Sequence, residues 1–219
     1  MKKNIELVVP TSWADVDLKT YLALQKDLKA YEDDNEAQVA FLLHHLCDLG
    51  LDEIQALAKN SHQLLKQKLF TFLSQTEYPL TKTIMIDGVE YGFEPNLNNI
   101  AYGAYIDITK FENIEINDDW AKIMSILYRP IEKKQLDTYS IKPYDGNIDG
   151  SKWYSVPMSV HFGCLFFFIN LLKELQISIL NSLKEKVEET YYKSILAKSG
   201  EVMQQSSYSP TMMLELLTK

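Results

Sequence analysis

The neighbouring residues His44, His45, Cys47 and Asp48 are of the types that ligate zinc. Adjacent histidines on a helix point about 100° apart, so both cannot readily bind one ion. Only His44 and Asp48 have the i, i+4 spacing that places two ligands on one face. A zinc site needs three or four converging ligands, and the chain has no CxxC or HExxH pattern. We interpret one histidine as lying at the core boundary and the other in solvent, and predict no metal site.

A second pair, His161 and Cys164, has the spacing at which a histidine could activate a thiol on one helix face. A reactive cysteine requires an electropositive, partly exposed setting. Cys164 instead lies in the apolar run 162–172, FGCLFFFINLL, where a thiol is buried and inert. We therefore expect no catalytic role for this pair.

Acidic residues also occur in pairs, at Asp33–Asp34 and Asp118–Asp119. Both pairs lie at predicted helix ends, where capping and the helix dipole account for carboxylates. Segment 145–150, DGNIDG, lacks the alternating ligands and closing glutamate of a helix–loop–helix calcium site, so we predict a turn. We predict no catalytic, cofactor-binding or metal-binding residue and no cofactor, and we do not expect an enzyme.

Arg129 is the only arginine among the 22 basic residues. It stands at a predicted helix end beside Pro130. It can bind the terminal carbonyls of that helix or form a bidentate link to a carboxylate. We predict a structural role for it.

The apolar run 162–172 is about half the length of a membrane-spanning helix, which needs about 20 residues. Lys173 and Glu174 follow it directly. Pro157 can occupy the first helical turn, with Ser155 as the cap before it. The run therefore predicts a helix that is buried on all sides.

Four short helices are predicted before residue 76. Asp17 caps the first, and residues 33–35 break it. The second ends at Gly50, which suits a left-handed helix terminus, and a short third helix begins at Leu51. Ser61 caps the fourth. Its apolar side is predicted to contain Leu64, Leu65, Leu69, Phe70, Phe72 and Leu73.

Asp87–Gly88 favours a tight hairpin turn between two alternating segments. Because a lone hairpin is marginal in water, it must pack on helices or pair with another strand. The partner could be the N-terminal segment IELVV or another chain. Residues 96–114 fit either a helix or extended chain. A helix beginning near Trp120 is predicted to stop at Arg129–Pro130, followed by a long connection over 131–156.

The last predicted helix starts at Pro157 and can extend to Ala197. Either a break between Gln176 and Asn181 divides it, or its amphipathic second half projects to meet a partner. We predict a mainly α (α+β) fold: a compact multi-helix bundle with one inserted β-hairpin at about 83–94 and a long C-terminal helix or helix pair. The predicted regions are 1–77 (helical subdomain), 78–156 (hairpin, short helices and connection), 157–200 (core and C-terminal helix) and 201–219 (flexible tail).

The net charge of −8 and the single arginine argue against binding to DNA or RNA. We also expect no association with membranes. Two isolated cysteines predict a reducing cytosol. Tyrosines in the middle of the chain are typical of protein–protein surfaces, and they equally suit a half-buried boundary. These are Tyr102, Tyr105, Tyr128, Tyr139, Tyr144 and Tyr154.

In order and spacing, five segments between about Val9 and Leu175 resemble small helical proteins of tailed bacteriophages, mostly those of Bacteroidetes hosts. The segments are VPTSWADVDLKTYLALQKDL, LDEIQALAKNSHQLLKQKLFTFL, IMIDGVEYGFEPNLNNIAYGAYIDI, WAKIMSILYRPI and SVHFGCLFFFINLLKEL. The similarity consists of hydrophobic and turn positions rather than catalytic residues.

This resemblance implies a non-enzymatic tail-assembly factor, similar to chaperones that hold a tape-measure protein before the tail polymerises. Its partner would be a phage protein, bound as a helix in a groove, in the cytoplasm of the host. The alternative is a minor structural protein of the virion, such as a connector, ring or tail component, which would form a homo-oligomer. The third hypothesis is a small enzyme in which the 131–156 connection covers a cleft.

Overall fold

The fold was analysed in a computed structural model, which describes residues 8–75, 77–111, 115–136 and 138–184. The predictions for most of the IELVV segment, for the helix beyond Lys184 and for the tail 201–219 lie outside these residues. In the described part, α-helices and an antiparallel sheet share one chain, which confirms the mixed α+β class.

The described helices are α1 (Leu18–Ala30), α2 (Asn35–Cys47), α3 (Leu51–Gln55), α4 (Lys59–Leu73), α5 (Tyr102–Thr109), α6 (Trp120–Leu127) and α7 (Met158–Lys184). The described strands are β1 (Thr83–Ile86), β2 (Val89–Phe93), β3 (Tyr128–Gln135) and β4 (Thr138–Ile141). Short 3₁₀ turns lie at Leu97–Asn99 and Ser151–Ser155.

The first two helices begin at the predicted caps. The Asp17 carboxylate accepts a hydrogen bond of 2.8 Å from the backbone N–H of Thr20, and Asp34 accepts one of 3.0 Å from Ala37. These bonds satisfy N–H groups that have no partner inside the helix. Both caps are confirmed.

Two other predicted helix ends were wrong. Asp48, with φ 53°, takes the left-handed position after α2, while Gly50 has φ −62° and precedes α3. An aspartate can occupy this region because its short polar side chain tolerates it. Ser61 lies in the first turn of α4, because the extended residue before the helix is Ala58.

The sheet has the antiparallel order β1-β2-β3-β4. Asp87 and Gly88 both have positive φ, at 50° and 76°, as the tight hairpin turn requires. The first hairpin is therefore confirmed. It pairs with β3, where Gly92 lies opposite Arg129.

The prediction of one inserted hairpin was wrong, because the 131–156 connection contains a second hairpin formed by β3 and β4. In β3, residues 132–135 are all polar and exposed, so this end of the strand lacks the alternation that reveals a half-buried strand. Strand β4 alternates but has only four residues. The turn of this hairpin begins with Leu136 at φ 50°, a conformation that leucine seldom adopts.

Two further segments differ in detail from the prediction. Residues 102–109 form α5, which decides between the helical and extended alternatives. Helix α6 ends at Leu127, before the predicted stop at Arg129–Pro130. The chain then passes directly into β3, since Tyr128 is already extended.

The beginnings of α1 and α7 are joined by backbone hydrogen bonds. Leu18 donates to the Val156 carbonyl at 3.2 Å, and Met158 donates to that of Val16 at 2.7 Å. Ser155 was wrongly predicted as the cap of α7: its hydroxyl donates to the Lys152 carbonyl instead. Backbone from a distant segment thus takes the place of a side-chain cap.

An aromatic cluster lies beside this junction. The Phe162 ring, on the first turns of α7, lies 5.0 Å from Trp13 and 5.4 Å from Tyr21 in edge-to-face geometry. The Phe72 ring of α4 lies 4.6 Å from that of Trp13 in a tilted arrangement. These rings connect α1, α4 and α7 in one core.

Helix α7 leaves the core as it proceeds. His161 to Leu165 are buried, Phe166 to Ile169 are half-buried, and Asn170 is exposed. The prediction of a helix buried on all sides holds only for the first turns. The backbone is helical throughout 176–181, which excludes the first of the two alternatives, a break in this segment. Ile177 is 57% exposed.

Candidate functional site

His161 is held between two tryptophans. The indole N–H of Trp120 donates to its Nδ1 at 3.1 Å, and its Nε2–H donates to the Trp153 carbonyl at 3.2 Å. These bonds define the neutral tautomer with the proton on Nε2. Burial lowers the pKa of His161 to about 4, so the imidazole is neutral at physiological pH.

Cys164 does not form a nucleophilic pair with His161. Both ring nitrogens of His161 are engaged by the tryptophans, and Cys164 is fully buried. Burial raises the pKa of the Cys164 thiol, which disfavours the thiolate. His161 therefore joins α7 to α6 and to the 3₁₀ turn at Ser151–Ser155, and Cys164 is a buried residue of the core.

Arg129 joins three segments of the chain. Its guanidinium donates to the Glu94 carboxylate at 2.5 Å, to the Ile126 carbonyl at 3.1 Å and to the Lys142 carbonyl at 2.9 Å. The predicted contact with a helix-end carbonyl is therefore made, at Ile126. The predicted link to a carboxylate is also present, but as one hydrogen bond to Glu94 and not as a bidentate pair. The guanidinium also lies 6.0 Å from the centre of the Tyr144 ring.

The two histidines of α2 make separate contacts. His44 donates from Nδ1 to the Leu49 carbonyl at 2.6 Å, and His45 Nε2 lies 2.7 Å from an Asp27 carboxylate oxygen on α1. Both are half-buried, so the prediction of one histidine in solvent was wrong. Among the described residues, no group of three or more His, Cys, Asp or Glu could hold a metal ion.

The 145–150 segment bends at Gly146, where φ is 82°, and makes local hydrogen bonds on either side of the bend. The Asp145 carboxylate accepts from the Asn147 N–H, and Asp149 accepts from Ser151, each at 2.9 Å. Hydrogen bonds from Ser151 lower the pKa of Asp149. Asp119, at the predicted cap of α6, accepts instead from Lys122 at 2.7 Å.

The middle-chain tyrosines divide between core and surface. Tyr128 is buried, while Tyr102 and Tyr105 of α5 are 78% and 52% exposed. Tyr144 is half-buried and donates its hydroxyl to Asp107 at 2.5 Å. The Tyr139 ring lies directly against Gly92 of β2. Of these middle-chain tyrosines, Tyr102 and Tyr105 of α5 are the exposed ones.

Apolar side chains are exposed on several described elements. They include Leu64 and Phe70 on α4, Met85 and Val89 on the first hairpin, Leu136 on the second and Ile177 on α7. Leu64 and Phe70 were predicted on the buried side of α4. That placement was wrong, because the core takes only Leu65, Leu69, Phe72 and Leu73 from this helix.

In the part of the chain that the structure describes, no helix combines the length and apolar character needed to cross a bilayer. In comparisons with known proteins, no family model, curated protein or solved structure matches the chain.

Proposed function

We propose that the protein is a non-enzymatic assembly factor of a tailed phage, which binds a helical segment of another phage protein. Two observations support this proposal: the resemblance over Val9–Leu175, and the display of apolar side chains on helices. The partner would be a tape-measure-like client, held in the cytoplasm of the host until the tail assembles. The finer description of the helices as a bundle is part of the same proposal.

The observation that carries the proposal is the exposure of apolar residues on long helices. Leu64 and Phe70 on α4 and Ile177 on α7 are 55%, 41% and 57% exposed. Single exposed apolar residues are ordinary. Here two of them share one helix, and a third lies on a helix that has left the core. Such faces suit helix-to-helix recognition.

Affinity capture from infected cells tests this function. The full tagged chain would be used as bait in infected and uninfected host cells, and captured proteins would be identified and quantified by mass spectrometry. We expect enrichment of one phage-encoded protein with long helical segments, in infected cells alone. Enrichment of host proteins only, at every stage of infection, would contradict the proposal.

The second candidate function is that of a minor structural protein in the virion. It is favoured by the edges of the sheet, since β1 pairs only with β2 and β4 only with β3 among the described residues. Unpaired strand edges can pair with a neighbouring subunit. This function predicts the protein in purified particles at a fixed copy number, which quantitative mass spectrometry of virions would detect.

A further inference from the structure

Helix α4 has a second face, opposite the one that it packs on the core. At about 100° per residue, the buried side chains Leu65, Leu69, Phe72 and Leu73 lie on one side. We call the opposite side the α4 outer face, which consists of Asn60, Gln63, Leu64, Gln67, Phe70 and Thr71. All six are exposed, and none carries a charge.

Charge is confined to the borders of this face. The helical positions place Lys59 and Lys66 along one border and Lys68 along the other. Helix α4 contains no aspartate or glutamate, in a protein whose net charge is −8. The α4 outer face is thus an uncharged stripe with basic borders on an acidic molecule.

This distribution is that of an interface rather than of an ordinary solvent face. Interfaces are depleted of charge at their centre and polar at their rim. The exposed face of an amphipathic helix carries charged or polar residues, and on the α4 outer face none of the six is charged. Leu64 and Phe70 lie six positions apart, so they are separated by about 9 Å along the axis and about 120° around it. They form the two edges of the uncharged stripe, with Gln67 between them.

We propose that the α4 outer face binds an amphipathic helix of a partner protein, whose apolar stripe is bordered by aspartate and glutamate. The charge complementarity selects this partner: carboxylates on both borders would meet Lys59, Lys66 and Lys68, while apolar side chains cover Leu64 and Phe70. The identity of the partner as the client rests on the proposed function. Opposite charges at the rim favour association, whereas the lysines of α4 would repel a basic helix.

Two synthetic helical peptides of equal length test the site directly. Both carry the same leucine stripe, bordered by glutamate in one and by lysine in the other. Binding to the full chain is followed by fluorescence anisotropy at low and high salt. We expect the glutamate peptide to bind at least about 10-fold more tightly than the lysine peptide, and its affinity to fall at high salt.

Two double variants separate the apolar and electrostatic contributions. Leu64→Ser with Phe70→Ser removes the apolar contact, and Lys66→Glu with Lys68→Glu reverses two border charges. We expect each to weaken binding of the glutamate peptide by about 10-fold or more. The matched controls are Met85→Ser and Lys133→Glu, exposed residues of the sheet, which should leave the affinity within about 2-fold.

Equal affinity for the two peptides, or unchanged affinity in both double variants, overturns the proposal. Binding of neither peptide to the full chain also overturns it. A concentration-dependent dimer that Leu64→Ser with Phe70→Ser abolishes would identify a second copy as the occupant, against the proposal.

Capture from infected cells distinguishes failure of this site from failure of the proposed function. If wild-type protein and the Leu64→Ser, Phe70→Ser variant capture the same phage protein equally, the function stands and the α4 site is wrong. If wild-type protein captures no phage protein while the peptide results hold, the site stands and the function is wrong.

Discussion

Arg129 connects three chain segments through one side chain. Its guanidinium donates to Glu94 after β2, to Ile126 in α6 and to Lys142 after β4. The two charged side chains are only 11% and 9% exposed. In such a place, the desolvation of each charge is offset only while its partner remains.

We therefore expect Arg129→Ala to lower the free energy of unfolding by about 3–5 kcal/mol, because Glu94 is left buried and unpaired. Urea unfolding at neutral pH measures this. The double variant Arg129→Met with Glu94→Leu should lose less, since no lone charge remains. A loss below about 1 kcal/mol in Arg129→Ala, which is typical of surface pairs, would show that the pair is not structural.

His161 gives the protein a pH-dependent stability. Its pKa in the folded protein is about 4, against an ordinary value of 6.5. Between pH 4 and pH 6.5, His161 is protonated in the unfolded chain but neutral in the folded protein. Stability contributed by neutral His161 is therefore complete above about pH 6.5 and falls, by about 3 kcal/mol, as the pH drops to 4.

In His161→Gln, this part of the pH dependence should disappear. The amide can still accept from Trp120 and donate to Trp153, but it does not titrate. Free energies of unfolding of both proteins would be measured from pH 4 to 7. Carboxylates contribute equally to both, so the difference between the curves isolates His161. Parallel curves would refute the assignment.

The role of a residue was predictable from the sequence where the group that it contacts lies within a few positions along the chain. Asp17 caps its own helix three residues on, and Asp87–Gly88 forms its own turn. The contacts of Arg129 with Glu94 and of His161 with Trp120 join residues 35 and 41 positions apart. Only the folded chain brings these groups together.

At the scale of elements, α7 is positioned by a close approach at Gly163. A Cβ added at this glycine would lie 2.4 Å from the Pro79 carbonyl oxygen, which is far inside van der Waals contact. The segment before β1 therefore crosses α7 where the helix has no side chain. This crossing connects the sheet to the helical core.

We expect Gly163→Ala to destabilise the protein by about 1–3 kcal/mol, because backbone must move to admit the methyl group. The matched control is Gly103→Ala in α5, where the nearest atoms to an added Cβ are 3.5 Å away. Alanine there should be neutral or stabilising by up to about 1 kcal/mol. Thermal unfolding compares the two. Equal effects would contradict the proposed crossing.

The elements that the sequence predicted well are those with one buried side. In α1, the buried residues Leu18, Tyr21, Leu24 and Leu28 follow the helical period. The second hairpin could not be predicted because β3 and β4 bury few side chains. The buried side of α4 was predicted wrongly because this helix has apolar residues on two sides. Periodicity reports apolar spacing but not which apolar face meets the core.

At the scale of the whole molecule, one core and several exposed apolar positions coexist. The buried cluster extends from Trp13 to Leu165. Helices near both ends of the described chain therefore pack with the sheet in one core. The α4 outer face and Ile177 lie outside this core. The proposed function uses these positions and leaves the core residues, including His161 and Cys164, to stability.

The distinction between a transient assembly factor and a particle component depends on the number of copies that associate. A factor that awaits a client is expected to remain a monomer or small dimer. A connector or ring component closes on itself with many copies. Composition and periodicity do not determine this number, because it depends on how the exposed faces fit another surface.

The mass of the full chain in solution, measured by light scattering after size exclusion at several concentrations, tests this most directly. The proposed assembly factor predicts a mass of one or two copies of the 25.3 kDa chain over the whole range. A stable closed ring of many copies would contradict it and identify the protein as part of the particle.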